Sequence, residues 1–399
     1  MARLLLFLCP AFTVLSVFGQ KRVTASGTIN NSSTGEILVD TSVHIKELPQ
    51  IGAATNSYRL YSVFISLTLF LLTVGGSFAQ TVSETTTKKA ADSSKMANLG
   101  AAAINYPMLR QVAISTDIMS GRDITAKFNG SPLFKAKTQL TRIGANFNLP
   151  VAQWGKNSIT ANISYLHERN DLSQVESYNP QIPVRNSAIN TTTIGFTASY
   201  MRIDTLFNHQ VIYSASITGL TDELSRVRSA SEILGINVPF TRTATTSFSA
   251  GLYYINNPTS PTHIIPFISY WHKFEIGNIQ LFADFPSRVI LKKQLSPKSW
   301  VSFGSELGGS QSFLTLNQPF PHNSISSTME IKTRAGFEYL VSKKILFGVN
   351  GGMSSTLSSR VFKQGDKQSD YFIKSSGGTV PYISFSISFL PFLKTIVNK

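Results

Sequence analysis

Cysteine is almost missing from this chain: one residue in 399, Cys9. It lies inside an apolar N-terminal stretch, so the rest of the chain carries neither a disulfide nor a thiolate metal site. Charge is sparse too, at 14% of residues, yet hydrophobic residues reach only 42% and the mean hydropathy is +0.05. That balance is too apolar for a disordered chain and too polar for a bundle of membrane helices. Outside two N-terminal segments there is no uninterrupted apolar run of the ~20 residues that a spanning helix needs. Any membrane span in the body must therefore be a strand.

Catalytic motifs are scarce as well. His167, His263, His272 and His322 stand apart in the sequence, and no pair has a metal-ligand spacing. A phospholipase barrel needs a His and a Ser one or two positions apart on the outer surface, with an Asn orienting the imidazole. The nearest approach, Phe207-Asn208-His209-Gln210, continues into Val211-Ile212 instead of giving a serine, and His209 reads as a solvated turn residue. An omptin-like protease would need an Asp pair and an Asp-His pair at the outer rim, and neither is evident. Phosphate-binding glycine loops and the motifs of kinases and hydrolases are absent. The sequence thus names no catalytic, cofactor-binding or metal residue and leads us to expect no enzyme.

What is present begins with two export-type segments. Residues 1–19 join a basic start at Arg3 to an apolar stretch from Leu4 to Phe18, the pattern of a secretory signal. A second such segment, 60–79, follows Arg59, and Ser77 and Ala79 suit cleavage before Gln80. Between them, the run Ser33-Thr34-Gly35-Glu36-Ile37-Leu38, then Ser42-Val43-His44-Ile45-Lys46-Glu47-Leu48 and Thr55-Asn56-Ser57-Tyr58, resembles the start of the carboxypeptidase-regulatory-like domain that precedes many TonB-dependent receptors. The likeness covers about residues 20–61 and stops before the small β-sandwich would be complete, so 20–59 is read as a truncated copy; it also departs from the family's usual glycines at Asp40 and Arg59. The expected working protein begins at Gln80, with a flexible lead-in over 80–107, a barrel over 108–393 and a basic tail over 394–399.

In the body, alternation dominates. From Thr192 to Tyr200 the even positions are Thr, Ile, Phe, Ala and Tyr, while Thr193, Gly195, Thr197 and Ser199 form the other face. A period of two is a strand with one apolar face. The same pattern recurs at Ile159–Tyr165, Val211–Ile217, Phe248–Tyr254 and Ile383–Phe389. Several runs reach the ~9–11 residues of a tilted membrane strand, longer than the usual ~5–6 of soluble sheets. Their polar face is Ser, Thr, Gly and Asn where a soluble surface would carry Lys and Glu. Tyr165, Tyr200, Tyr254, Trp271 and Trp300 are read as an aromatic girdle at strand ends. The fold class that follows is all-β, a transmembrane antiparallel up-and-down barrel. Pattern alone yields thirteen strands, with 220–241 as a connection holding a short helix near Asp222 to Leu234. Because single-chain bacterial barrels have even numbers, merging 277–285 with 288–295 across Pro286 gives an expectation of about twelve.

Phe285-Pro286-Ser287-Arg288, Ser299-Trp300-Val301-Ser302-Phe303-Gly304 and the closing strand Tyr382 to Phe389 are similar to an uncharacterised, porin-like family of outer-membrane β-barrels from Bacteroidetes-type bacteria. That resemblance implies an outer-membrane location in a Gram-negative cell and brings no known activity. The net charge of +15 is dispersed along the chain. It points to anionic outer-membrane lipids, lipopolysaccharide included, and not to nucleic acid, with the barrel-assembly machinery as the expected protein partner. Parity places Glu330, Lys332, Arg334 and Glu338 in the lumen, and Asp117, Arg142 and Glu306 with them. The expected function is structural, or passive conduction of small solutes through a narrow, charge-lined lumen. A transporter of hydrophobic molecules and a lipid-modifying barrel enzyme are the alternatives.

Overall fold

The computed structural model describes the backbone of 42–45 and 48–54 and residues 86–398 other than Pro261, with side chains from Met96 onward. Both export-type segments, and Cys9, lie outside the described residues. In the N-terminal unit, β1 (Ser42–Ile45) and β2 (Leu48–Ala54) form an antiparallel hairpin with Ser42 opposite Ala54.

The second unit opens with a helix, α1 (Thr86–Asn105), and continues as one sheet. β3 (Val112–Phe128), β4 (Ser131–Trp154), β5 (Asn157–Ser177), β6 (Ser187–Leu206), β7 (His209–Thr221), β8 (Ser229–Arg242) and β9 (Thr246–Asn256) each pair with the next. β10 (Ile264–Lys273), β11 (Ile279–Phe285), β12 (Arg288–Ser296), β13 (Ser299–Thr315), β14 (Asn323–Ser342) and β15 (Ile345–Lys363) continue the series. β17 (Val380–Phe389) pairs with both β15 and β3 and closes the sheet into a ring. β16 (Ile373–Gly377) extends the same place in the wall, and β18 (Val397–Asn398) lies parallel to β4 at its end. The result is a closed antiparallel up-and-down barrel of 14 strands.

Turn chemistry orients it. At the end where β3 starts and β17 stops, connections such as 155–156, 207–208, 297–298 and 343–344 are minimal. Phe207 and Asn208 both have positive φ, 49° and 63°, as the primed turns of tight hairpins require. The opposite end carries 178–186, 222–228, 257–263, 316–322 and 364–372, together with the tight Asn129-Gly130 turn. Short turns mark the periplasmic side and longer loops the outer side of such barrels.

The outward face shows where the bilayer sits. On β5 and β6, Ile159, Ala161, Ile163 and Tyr165 stand opposite Tyr200, Ala198, Phe196 and Ile194. Exposed charges end this band on the same face: Arg202 paired with Asp204 below it, Arg169 paired with Asp171 above it. Its length matches the ~9–11 residues of a membrane strand, and hydrocarbon would not tolerate exposed charge in between. These are the features of an outer-membrane barrel.

The strand count corrects the expected twelve. β8 occupies the connection read as a loop with a short helix, and β11 and β12 are separate strands that turn at Pro286-Ser287. β8 escaped the period-two test because Ile233 faces inward beside Gly235 and Asn237, while Pro239 sits at a bulge. Requiring an even number was sound, and the missing member had to be added instead of merged. The lead-in over 80–107 is also corrected, since its residues Thr86–Asn105 form α1.

The wall is not of equal height. β3 to β6 and β13 to β15 have 17 to 24 residues, whereas β10, β11 and β12 have 10, 7 and 9. At ~3.3 Å per residue and ~45° tilt, β4 rises roughly 55 Å along the axis, against an apolar band of ~25 Å. The tall side therefore projects beyond the outer leaflet. Above the short strands, 187–193 of β6 has no strand partner on the β7 side and 308–315 of β13 none on the β12 side. These two stretches meet: Thr193 Oγ1 donates to the carbonyl of Gln311 at 2.9 Å. β6 and β13 are seven strands apart either way around the barrel, so the ring is pinched across its middle. Fourteen strands at the base become eight above the pinch: β13, β14, β15, β16, β3, β4, β5 and β6.

Candidate functional site

The lumen is the candidate site, and it is layered. At the periplasmic end, α1 brings the backbone carbonyls of its last turn against three cations. Arg110 Nε donates to the Ala103 carbonyl at 3.2 Å, Lys292 Nζ to that of Ile104 at 2.6 Å, and Arg288 Nη1 to that of Asn105 at 3.5 Å. A helix C-terminus leaves such carbonyls without intrahelical partners and carries partial negative charge, so cations stabilise it. Glu338 in turn accepts from Arg110 at 2.5 Å and from Lys292 at 2.6 Å, and Asp284 pairs with Arg288 at 2.7 Å. Tyr106 packs edge-on against Phe282, under the Arg288 guanidinium. Ala103 is fully buried there.

Moving outward, Arg334 forks onto Glu306 and reaches Asn350. Gly336 makes this possible, because a Cβ there would press on the Asn350 amide and the Arg334 guanidinium. Lys332 pairs with Asp117 at 2.5 Å and lies 3.4 Å from Glu330. Furthest out, Arg142 joins Glu168 (2.5 Å) and Glu330, with Ser312 Oγ donating to Glu168 at 2.6 Å. All three of these charged side chains are buried. Met119, Leu140, Val380 and Tyr382 fill the space beside these layers.

The structure thus brings all seven residues read from the sequence, Asp117, Arg142, Glu306, Glu330, Lys332, Arg334 and Glu338, into one lumen and pairs each with an opposite charge. Sequence reasoning missed Arg110, Glu168, Asp284, Arg288 and Lys292. Glu168 continues the inward parity of β5, and Lys292 that of β12, so extending those strands would have found them. Trp271 and Trp300 are corrected: both point into the lumen, Trp271 bonding Gln280 and Trp300 lying under Lys292. Tyr165, Tyr200 and Tyr254 do face outward, as the apolar partners beside them require.

The histidines sit elsewhere. His209 opens β7 beside the periplasmic turn, and His167 bonds Thr192 at 3.1 Å on the outward face. His272 bonds Thr246, while His263 and His322 sit within hydrogen-bonding distance of backbone carbonyls. Among the described residues, no three metal-ligating side chains cluster.

Above the Arg142 layer, the seven tall strands and β16 enclose a cavity of about 250 Å³. Every strand of the upper ring contributes to its lining, and none of β7 to β12 does. Arg122, Thr138, Asn170 and Thr356 lie toward the floor with Arg142 and Glu168, and Ile124, Leu140, Leu172, Ile189, Leu314 and Val361 supply apolar wall.

No family model matches this sequence, and no curated protein does. Among solved structures, the chain is similar to an outer-membrane channel from Pseudomonas putida F1, at 7% identity and TM-score 0.32 over 70% of this chain and 96% of that one. It is also similar to the translocator domain of the autotransporter NalP from Neisseria meningitidis, at 10% identity and TM-score 0.22 over 76% and 97%. A third is the outer-membrane protease OmpT from Escherichia coli, at 9% identity and TM-score 0.19 over 70% and 94%. Likenesses at this level assign no activity.

Proposed function

We propose that this protein is an outer-membrane barrel whose lumen is held shut, a structural or weakly solute-conducting barrel and not a general diffusion pore. One observation carries the reading: stacked ion-pair layers cross the lumen from Glu338 to Glu168, and the last turn of α1 is seated on the innermost of them. Fourteen strands alone would enclose more space than the eight that side chains can fill, yet less than the 16–18 of open porins. Charges of both signs, attracting each other in a partly desolvated space, occupy that difference. A transporter of hydrophobic molecules is the second reading, favoured by the apolar wall of the upper cavity.

Liposome swelling tests the first reading. Proteoliposomes of the unmodified protein should admit a small sugar such as arabinose no faster than protein-free liposomes, and replacing Glu330, Lys332, Arg334 and Glu338 together by Ser should raise the rate several-fold. Rapid swelling with the unmodified protein would contradict the shut lumen.

A further inference from the structure

We propose that the eight-stranded upper ring is a binding cup for a small amphipathic organic acid, with its carboxylate on Arg122 and its apolar body against Ile124, Leu140, Leu172 and Ile189. Eight strands enclose a space that either fills with side chains or holds one small ligand. Here it is not filled, since about 250 Å³ is open. A cavity of about 150 Å³ accepts benzene, so this one takes a body somewhat larger than a single ring.

The polar partners select the ligand's charge. On the floor, acceptor atoms are already engaged: Glu168 accepts from Arg142 and Ser312, and Glu330 from Arg142 and Ser354, with the Lys332 ammonium 3.4 Å away. Donors are not. Arg122 has five N–H groups, and its one hydrogen bond among the described residues is to Thr356 Oγ1, at 2.5 Å. It forms no ion pair there, unlike Arg110, Arg142, Arg288 and Arg334. A ligand entering the cup must therefore bring acceptors, and a planar guanidinium matches a carboxylate two-pronged. The Ser375 hydroxyl lines the same space and can turn to donate, whereas Thr138 and Thr328 already give their protons to Asn170 and Ser359. Because the tall wall stands beyond the outer leaflet, the cup faces water on the outer side and takes its ligand from solution. This inference does not depend on whether the lower lumen conducts.

The test is ¹⁹F relaxation NMR of 4-fluorobenzoate with the full-length barrel in lipid nanodiscs, with 4-fluorobenzamide as the uncharged counterpart. Folding of every variant is checked by heat-modifiable migration on a gel. The expected result is saturable binding of the acid and at least tenfold weaker binding of the amide. Arg122→Gln should weaken the acid at least tenfold and leave the amide unchanged. Ile189→Trp, which fills the cup from its wall, should abolish both. Absence of saturable acid binding to the folded protein overturns the proposal, as does equal binding of acid and amide. If Arg122→Gln fails to fold, Arg122→Lys replaces it, with the acid at least threefold weaker, and an unchanged affinity in either variant overturns it too.

Discussion

Phe196 and Thr197 are adjacent residues in different solvents. Phe196 is 46% exposed on the outward face amid Ile163 and its neighbours, whereas Thr197 Oγ1 meets Thr218 Oγ1 inside at 2.9 Å. Phe196→Lys should impair assembly, because a lysine facing lipid near the midplane costs ~2–4 kcal/mol. Thr197→Lys should assemble normally, and heat-modifiable gel migration reads both; equal behaviour would contradict the assigned faces. Such assignments were legible in the sequence because residues 192–200 keep one apolar and one small polar face without interruption. Arg122 was not legible. A bulge between Met119 and Arg122 shifts the register of β3 against β4, so the inward parity of Asp117 does not carry past it.

At the scale of elements, α1 is seated at the periplasmic end of the lumen by its C-terminal turn. Each cation at such a terminus contributes ~0.3–1 kcal/mol, and up to ~2 when partly buried. Arg110, Arg288 and Lys292 together therefore hold the last turn firmly while leaving earlier turns exposed. With no other cysteine beyond Cys9 in the sequence, the seat can be probed by maleimide labelling. Ala103→Cys, at a fully buried position, should react at least tenfold more slowly than Leu99→Cys, at 39% exposure. Adding Lys292→Ala and Arg110→Ala should remove most of that protection. Equal rates at the two positions from the outset would contradict the seating. Sequence pattern gave no hint of this docking, because α1 lacks a continuous apolar face and is held by backbone carbonyls. β11 and β12 were obscured differently: at 7 and 9 residues around a proline turn, they resemble one interrupted strand.

For the barrel as a whole, the unequal strand lengths set the height of its wall. Strand ends beyond the membrane carry charge on the outward face, as at Arg169 and Asp171, so the apolar-out period fades where the tall wall continues. That is why 120–134 reads as a loop in the sequence and is mostly strand in the structure. The contact between β6 and β13 joins segments 118 residues apart through a hydroxyl and a backbone carbonyl, which leaves no mark on local pattern. It divides the barrel into a base with its ion-pair layers and the seated turn of α1, and an upper cup. The proposed function requires the base to be shut. Single-channel recording in planar lipid bilayers tests it most directly: the unmodified protein should give small or undetectable conductance. Large, stable, porin-like steps from the same preparation would contradict it.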